Sequence, residues 1–203
     1  AVLHLNANTA LKAGAVFLKY AGETGFAKAL PLMQATARLA PHVHVVAGAL
    51  ENAQRHQLTD MLMHREQSLT APLEEGLQFR YKTPRNFADL WVDWEHYIRP
   101  ADTLQEQLVV GFSAERKWER LPHRFVLDAG ALAMHAGGQI DSTDLPLQTL
   151  LNASLGFRYA NGPWWLAAHG WFYTDPSPKP RTVFQEGHAW DVSAGTDFEA
   201  LRL

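Results

Sequence analysis

A chain of 203 residues with 47% hydrophobic and 19% charged side chains and a formal net charge of -3 is excluded by composition from the disordered class. Its 18 Lys and Arg form no cluster that would mark a nucleic-acid surface, and the lack of cysteine removes a disulfide scaffold, a thiolate nucleophile and a zinc-thiolate site. No run approaches the roughly 18 consecutive apolar residues of a membrane-spanning helix.

What the chain carries instead is a period of two. Strands are expected at about 2–8, 10–21, 30–40, 42–51, 73–83, 87–99, 104–118, 123–138, 147–160, 163–174 and 188–200. In chain order, Met33, Ala35, Ala37 and Leu39 oppose Gln34, Thr36 and Arg38. Leu77, Phe79 and Tyr81 oppose Gln78, Arg80 and Lys82. Leu90, Val92 and Trp94 oppose Asp89, Asp93 and Glu95, with Trp91 breaking the rule. Leu155, Phe157 and Tyr159 oppose Gly156 and Arg158, and the last strand sets Trp190, Val192, Ala194, Thr196 and Phe198 against Asp191, Ser193, Gly195, Asp197 and Glu199. Successive strand side chains point to opposite faces, so each segment has one apolar wall and one wet wall.

Several of these strands exceed the five or six residues usual in soluble sheets and suit the roughly 9–11 needed to cross a bilayer at a tilt. Ala40-Pro41, Thr83-Pro84-Arg85-Asn86 and Asn161-Gly162-Pro163 read as turns, whereas 52–72, 137–146 and 175–187 are longer connections. Short turns alternating with long loops are the asymmetry of a transmembrane barrel. The expected fold is all-β, an antiparallel up-and-down transmembrane β-barrel or part of one, with about 8–12 strands in a single domain over 1–203. Trp91, Trp94, Tyr97, Trp118, Trp164, Trp165, Trp171, Phe172, Tyr173 and Trp190 lie toward strand ends or beside turns, where a membrane-interface girdle places its rings. A β-sandwich core would accept the same rings. The charges Arg80, Lys82, Asp93, Glu95, Asp191, Asp197 and Glu199 on the opposing faces are expected to line a polar lumen, because such side chains are rarely buried unpaired.

Asn52-Ala53-Gln54-Arg55-His56-Gln57-Leu58, Leu69-Thr70, Glu75-Gly76-Leu77-Gln78-Phe79, Trp91-Val92-Asp93-Trp94-Glu95-His96, Glu106-Gln107, His135-Ala136-Gly137-Gly138-Gln139-Ile140-Asp141 and Leu147-Gln148-Thr149-Leu150-Leu151-Asn152 together resemble uncharacterised outer-membrane barrel proteins of Bacteroidetes-type bacteria. The likeness covers roughly residues 10–160 and implies a shared strand order, with no established activity or site. Members of that family are longer, with a signal peptide and a terminal aromatic residue. This chain opens Ala1-Val2-Leu3 and ends Ala200-Leu201-Arg202-Leu203, which suggests a partial chain.

Four constellations invite a chemical reading. His135, Gln139, Asp141 and Asp144 in one loop offer oxygen and nitrogen ligands to a hard cation, or form an ordinary polar turn whose glycines supply positive φ. His42 and His44 share a strand face at a chelating separation, with His4, His56 and His64 as further ligands by type alone. Asp93 and Glu95 have the spacing of paired glycosidase carboxylates, or simply pair with Arg80 and Lys82 across the hairpin. Leu58, Met61, Leu62 and Leu69 recur at helical intervals in 52–72, consistent with a plug or lid and equally with an exposed loop.

No phosphate loop, nucleophile elbow or metalloprotease helix is present, and no metal or cofactor is called for. The expectation is a bacterial outer-membrane barrel acting as a structural, accessory or small-solute transport component, without identified catalytic chemistry. Its partners would be outer-membrane lipid or lipopolysaccharide and other outer-membrane subunits, with no nucleic acid. The alternative is a soluble β-sandwich or jelly roll that binds or hydrolyses carbohydrate through Asp93 and Glu95.

Overall fold

Tight turns between alternating segments force each strand back alongside its predecessor, and the chain repeats that step from end to end. The computed structural model describes residues 1–51, 55–63, 72–99, 103–138, 141 and 143–197. Its strands are β1 (Val2–Asn6), β2 (Thr9–Leu18), β3 (Lys28–Ala40), β4 (Val43–Ala49), β5 (Glu75–Lys82), β6 (Asn86–His96), β7 (Gln107–Arg120), β8 (His123–Ala136), β9 (Gln148–Asn161), β10 (Trp164–Thr174) and β11 (Glu186–Thr196). All eleven lie in one antiparallel sheet in sequence order, and no α-helix occurs among the described residues. β1 and β11 each have a neighbour on one side only, so the ladder is not closed. This is the up-and-down strand order of a β-barrel or part of one. A sandwich needs a second sheet to cover the first, and among the described residues every strand belongs to the same one.

Two- or three-residue turns after β1, β3, β5, β7 and β9 share one end of the sheet, and connections of nine residues or more share the other. Burial runs opposite to that of a water-soluble protein. On paired strands, Gln78 is 0% and Asp89 1% exposed, while their outward neighbours Leu90 and Phe112 are 47% and 40% exposed. An apolar face left uncovered over so many strands suits lipid as its solvent.

The wet face is concave. The nine residues 55–63 touch β5 and β6 through His56, β7 through Ser113, β8 through Leu58 and Leu62 against Gly130, and β10 through Thr59 against Trp171. In a flat sheet β5 and β10 would stand roughly 24 Å apart, five spacings of about 4.8 Å; one short segment reaches all of them because the sheet curls around it. Leu50, Leu58, Met63 and Trp91, with Leu62 and Leu132 against them, form the apolar core of this interior. Trp91 lies over Gly111, where an added Cβ would fall 2.1 Å from Trp91 Cζ2, so glycine is what makes room for the ring. Trp91 thus departs from the alternation for a reason: it is an interior packing platform rather than a girdle residue. Trp165 and Trp171 also turn inward, the first under Arg158 at 4.7 Å and the second donating to Thr59 Oγ1 at 3.2 Å, whereas Trp94, Tyr97, Trp118, Trp164, Phe172 and Trp190 are exposed.

Candidate active site

The connection after β4 leaves from the long-loop end and turns inward, drawn by the burial of Leu58 and Met63. It bends at a single 3₁₀ turn, Arg55–Gln57, where His56 (φ 53, ψ 20) and Gln57 (φ 60) take the left-handed conformation. Non-glycine residues hold that conformation when their surroundings over-determine it. Here the surroundings are explicit. Ser113 Oγ donates to the His56 carbonyl at 2.5 Å, and the imidazole stacks on Trp91 at 3.6 Å, 8° from parallel.

Both ring nitrogens meet carboxylates: Nδ1 lies 2.9 Å from Asp89 Oδ2, and Nε2 lies 2.7 Å from Glu74 Oε2. Gln78 Nε2 donates to both Asp89 oxygens, at 3.0 and 2.8 Å, while the Gln78 Oε1 accepts from the Glu51 backbone N–H at 3.0 Å. An imidazole donates to two acceptors only when both nitrogens carry protons. Burial opposes that charge, but the hydrogen bonds to Asp89 and Glu74 and the negative charge of both outweigh it and raise the His56 pKa above its ordinary value. Two buried carboxylates thus favour the charged form of the ring between them, and Arg80 adds positive charge beside them, with Nε 3.8 Å from Asp89 and Nη1 bonded to Glu51.

This cluster sits between two cavities that share Pro72 and Leu73 as a wall. One, of about 560 Å³, borders His56 and is lined also by Lys12, Gln34, Arg80, Lys82 and Phe87. The other, of about 440 Å³, borders Glu74 near the long-loop end, with Lys28, Asp93, Trp94, Glu95 and His96. No hydroxyl faces the His56 ring among the described residues, since Ser113 gives its proton to the backbone carbonyl. The arrangement provides a carboxylate in contact with a histidine ring whose charged form is favoured, an acid–base pair able to activate water.

The other singled-out residues are scattered by comparison. By register Arg80, Lys82, Asp93 and Asp191 share the face of Asp89 and Trp91. The expected pairing of Arg80 and Lys82 with Asp93 and Glu95 does not occur: the 83–85 turn sets Arg80 opposite Asp89, Lys82 opposite Phe87 and Gly76 opposite Asp93. Asp93 accepts from the Glu75 N–H at 2.8 Å, and Glu95 accepts from Gln107 Nε2. Asp191 lies 3.8 Å from His169 and Asp197 3.8 Å from Arg158, while Glu199 falls outside the described residues. In the loop constellation His135 meets Thr149 at 2.9 Å and Asp141 accepts from the Thr143 N–H at 2.8 Å; Asp144 is exposed and Gln139 lies outside the described residues, as does His64. No group of three metal-holding side chains occurs among the described residues. Nothing in the local sequence pattern marks Glu74, although Trp91's break in the alternation marks the spot where its partner His56 docks.

No curated protein and no solved structure matches the chain. A family model described as Lipid A 3'-O-deacylase-type matches residues 1–203. An enzymatic family overturns the expected non-catalytic structural, accessory or small-solute transport role, and of the resemblance to outer-membrane barrel proteins it supports the coarser part, a family that acts on an outer-membrane lipid. Carbohydrate hydrolysis by Asp93 and Glu95 gains no support from it. Matched over its whole length, the chain belongs to the lipid A 3'-O-deacylase-type family.

Proposed function

We propose that this protein is an outer-membrane hydrolase that removes an ester-linked acyl chain from lipid A, using the buried Glu74–His56–Asp89 relay. The family match supports the reaction class and the substrate. The observation that carries the residue assignment is the His56 ring held between Glu74 and Asp89, with Glu74 bordering a cavity near the long-loop end. Long loops are the external side of such barrels, where lipopolysaccharide resides.

In this reading Glu74 takes a proton from a water in that cavity as the water oxygen bonds to the acyl carbonyl carbon. The tetrahedral intermediate then collapses, the bond from carbon to the sugar oxygen breaks, and Glu74 returns the proton to that oxygen, releasing a fatty acid and a free hydroxyl. His56 keeps the Glu74 carboxylate oriented and compensates its charge; Asp89 and Gln78 hold the ring. The test is purified full-length protein in detergent incubated with lipid A and followed by mass spectrometry. Wild type is expected to yield a product one acyl chain lighter plus free fatty acid, and Glu74→Gln to lose about 10²–10⁴-fold in rate while retaining its β-sheet circular dichroism. A wild-type protein that leaves lipid A intact overturns the function, and a folded Glu74→Gln variant at full activity overturns the mechanism.

A further inference from the structure

The outer wall carries a second constructed feature, remote from His56. Close to the short-turn end, Phe125 of β8, Phe157 and Tyr159 of β9 and Leu166 of β10 line an outward groove of about 470 Å³, with Arg120 and His123 at its end. That volume lies within the range of roughly 300–1,000 Å³ typical of small-molecule sites. Its floor is a run of rings: Phe125 lies 4.9 Å from Tyr159 and 6.2 Å from Phe157. The polar atoms at its rim are unequal. His123 Nδ1 and the Tyr159 hydroxyl satisfy each other at 2.8 Å, whereas the Arg120 guanidinium has no hydrogen-bond or ion-pair partner among the described residues.

We infer that this groove holds one glycerophospholipid, with an acyl chain along Phe125, Phe157 and Leu166 and the phosphodiester on Arg120. The charge pattern selects that occupant: an apolar trough ending in a single uncompensated guanidinium complements a hydrocarbon tail ending in one anion. Its position agrees, because the short-turn end of a barrel wall lies at a headgroup level. The site depends on the outward face meeting lipid and is independent of deacylation, so its failure leaves the proposed reaction untouched.

Native mass spectrometry of the full chain released from detergent, titrated with phosphatidylglycerol, tests it. One saturable adduct is expected, weakened about tenfold in Arg120→Gln, a substitution at an exposed position of the rim. Arg85→Gln, a change of the same charge in the exposed β5–β6 turn and outside the groove, is expected to leave the adduct unchanged, and diacylglycerol, which lacks the phosphate, to bind at least tenfold more weakly. Absence of a saturable adduct, equal weakening by the two arginine variants, or diacylglycerol binding as tightly as phosphatidylglycerol would each overturn the assignment.

Discussion

Leu90 and Trp91 are adjacent on β6 and face opposite solvents. Leu90 belongs to a wall of Leu77, Phe79, Phe112 and Leu127 side chains that stay exposed, each standing beside others of its kind. Trp91 belongs to an interior where its ring carries His56 and sits over Gly111, among Gln78, Asp89 and Ser113, all nearly without exposure. In the proposed membrane setting the outer wall gains stability from a solvent that welcomes hydrocarbon, and no single partner is essential to it. The interior works in the reverse way: each polar group depends on a specific neighbour, so removing one strands another. A barrel wall therefore tolerates exchange among apolar residues, while its filled side is sensitive to single atoms.

The largest expected effect is on the interior. His56→Ala leaves Glu74 and Asp89 buried without their shared cation, a loss of about 3–5 kcal/mol, read as a lower urea midpoint in lipid vesicles. Next, Phe112→Arg places a charge midway along the outer face of β7 and is expected to cost about 2–4 kcal/mol in a bilayer. If Phe112→Arg proves neutral in vesicles, the outer face does not meet lipid and the comparison fails. A smaller loss, about 1–3 kcal/mol, is expected for Gly111→Ala, whose new Cβ overlaps Trp91; a changed tryptophan emission spectrum should accompany it, since the ring must move off its platform.

The smallest effect separates the two regions by pH. The His56 pKa is raised in the folded protein, so its stabilisation is fully present below the ordinary histidine value of about 6.5 and disappears as pH rises through the folded value. The difference in urea midpoint between wild type and His56→Gln should accordingly shrink on going alkaline. The difference between wild type and Phe112→Arg should stay flat over the same window, because neither residue titrates there. Parallel pH curves for the two variants would show that His56 is not the charged centre of the interior.

Legibility in the sequence followed the same division. The outer wall was readable because alternation is a local property: Leu77, Phe79 and Tyr81 announce their shared face without reference to any other strand. The turn at Thr83-Pro84-Arg85 was equally visible, yet its consequence for pairing was not, since a shift in register moved Arg80 from the expected Asp93 to Asp89. The aromatic residues divided along this line too. Trp190 on the outside follows the alternation, and Trp91 inside violates it, so an irregularity in the pattern was the trace left by the site.

By itself, then, the sequence determined that strands form, how long they are, which of their faces is apolar and that they follow one another through alternating short and long connections. Each of these rests on backbone geometry and side-chain polarity within a few residues. Only the tertiary structure decided that the 55–63 segment fills the concave side and that His56 meets Glu74 and Asp89, 18 and 33 positions away. That meeting depends on the curl of the sheet, which brings β5 through β10 around one short segment, and on inter-strand register; neither is encoded in any single stretch of chain.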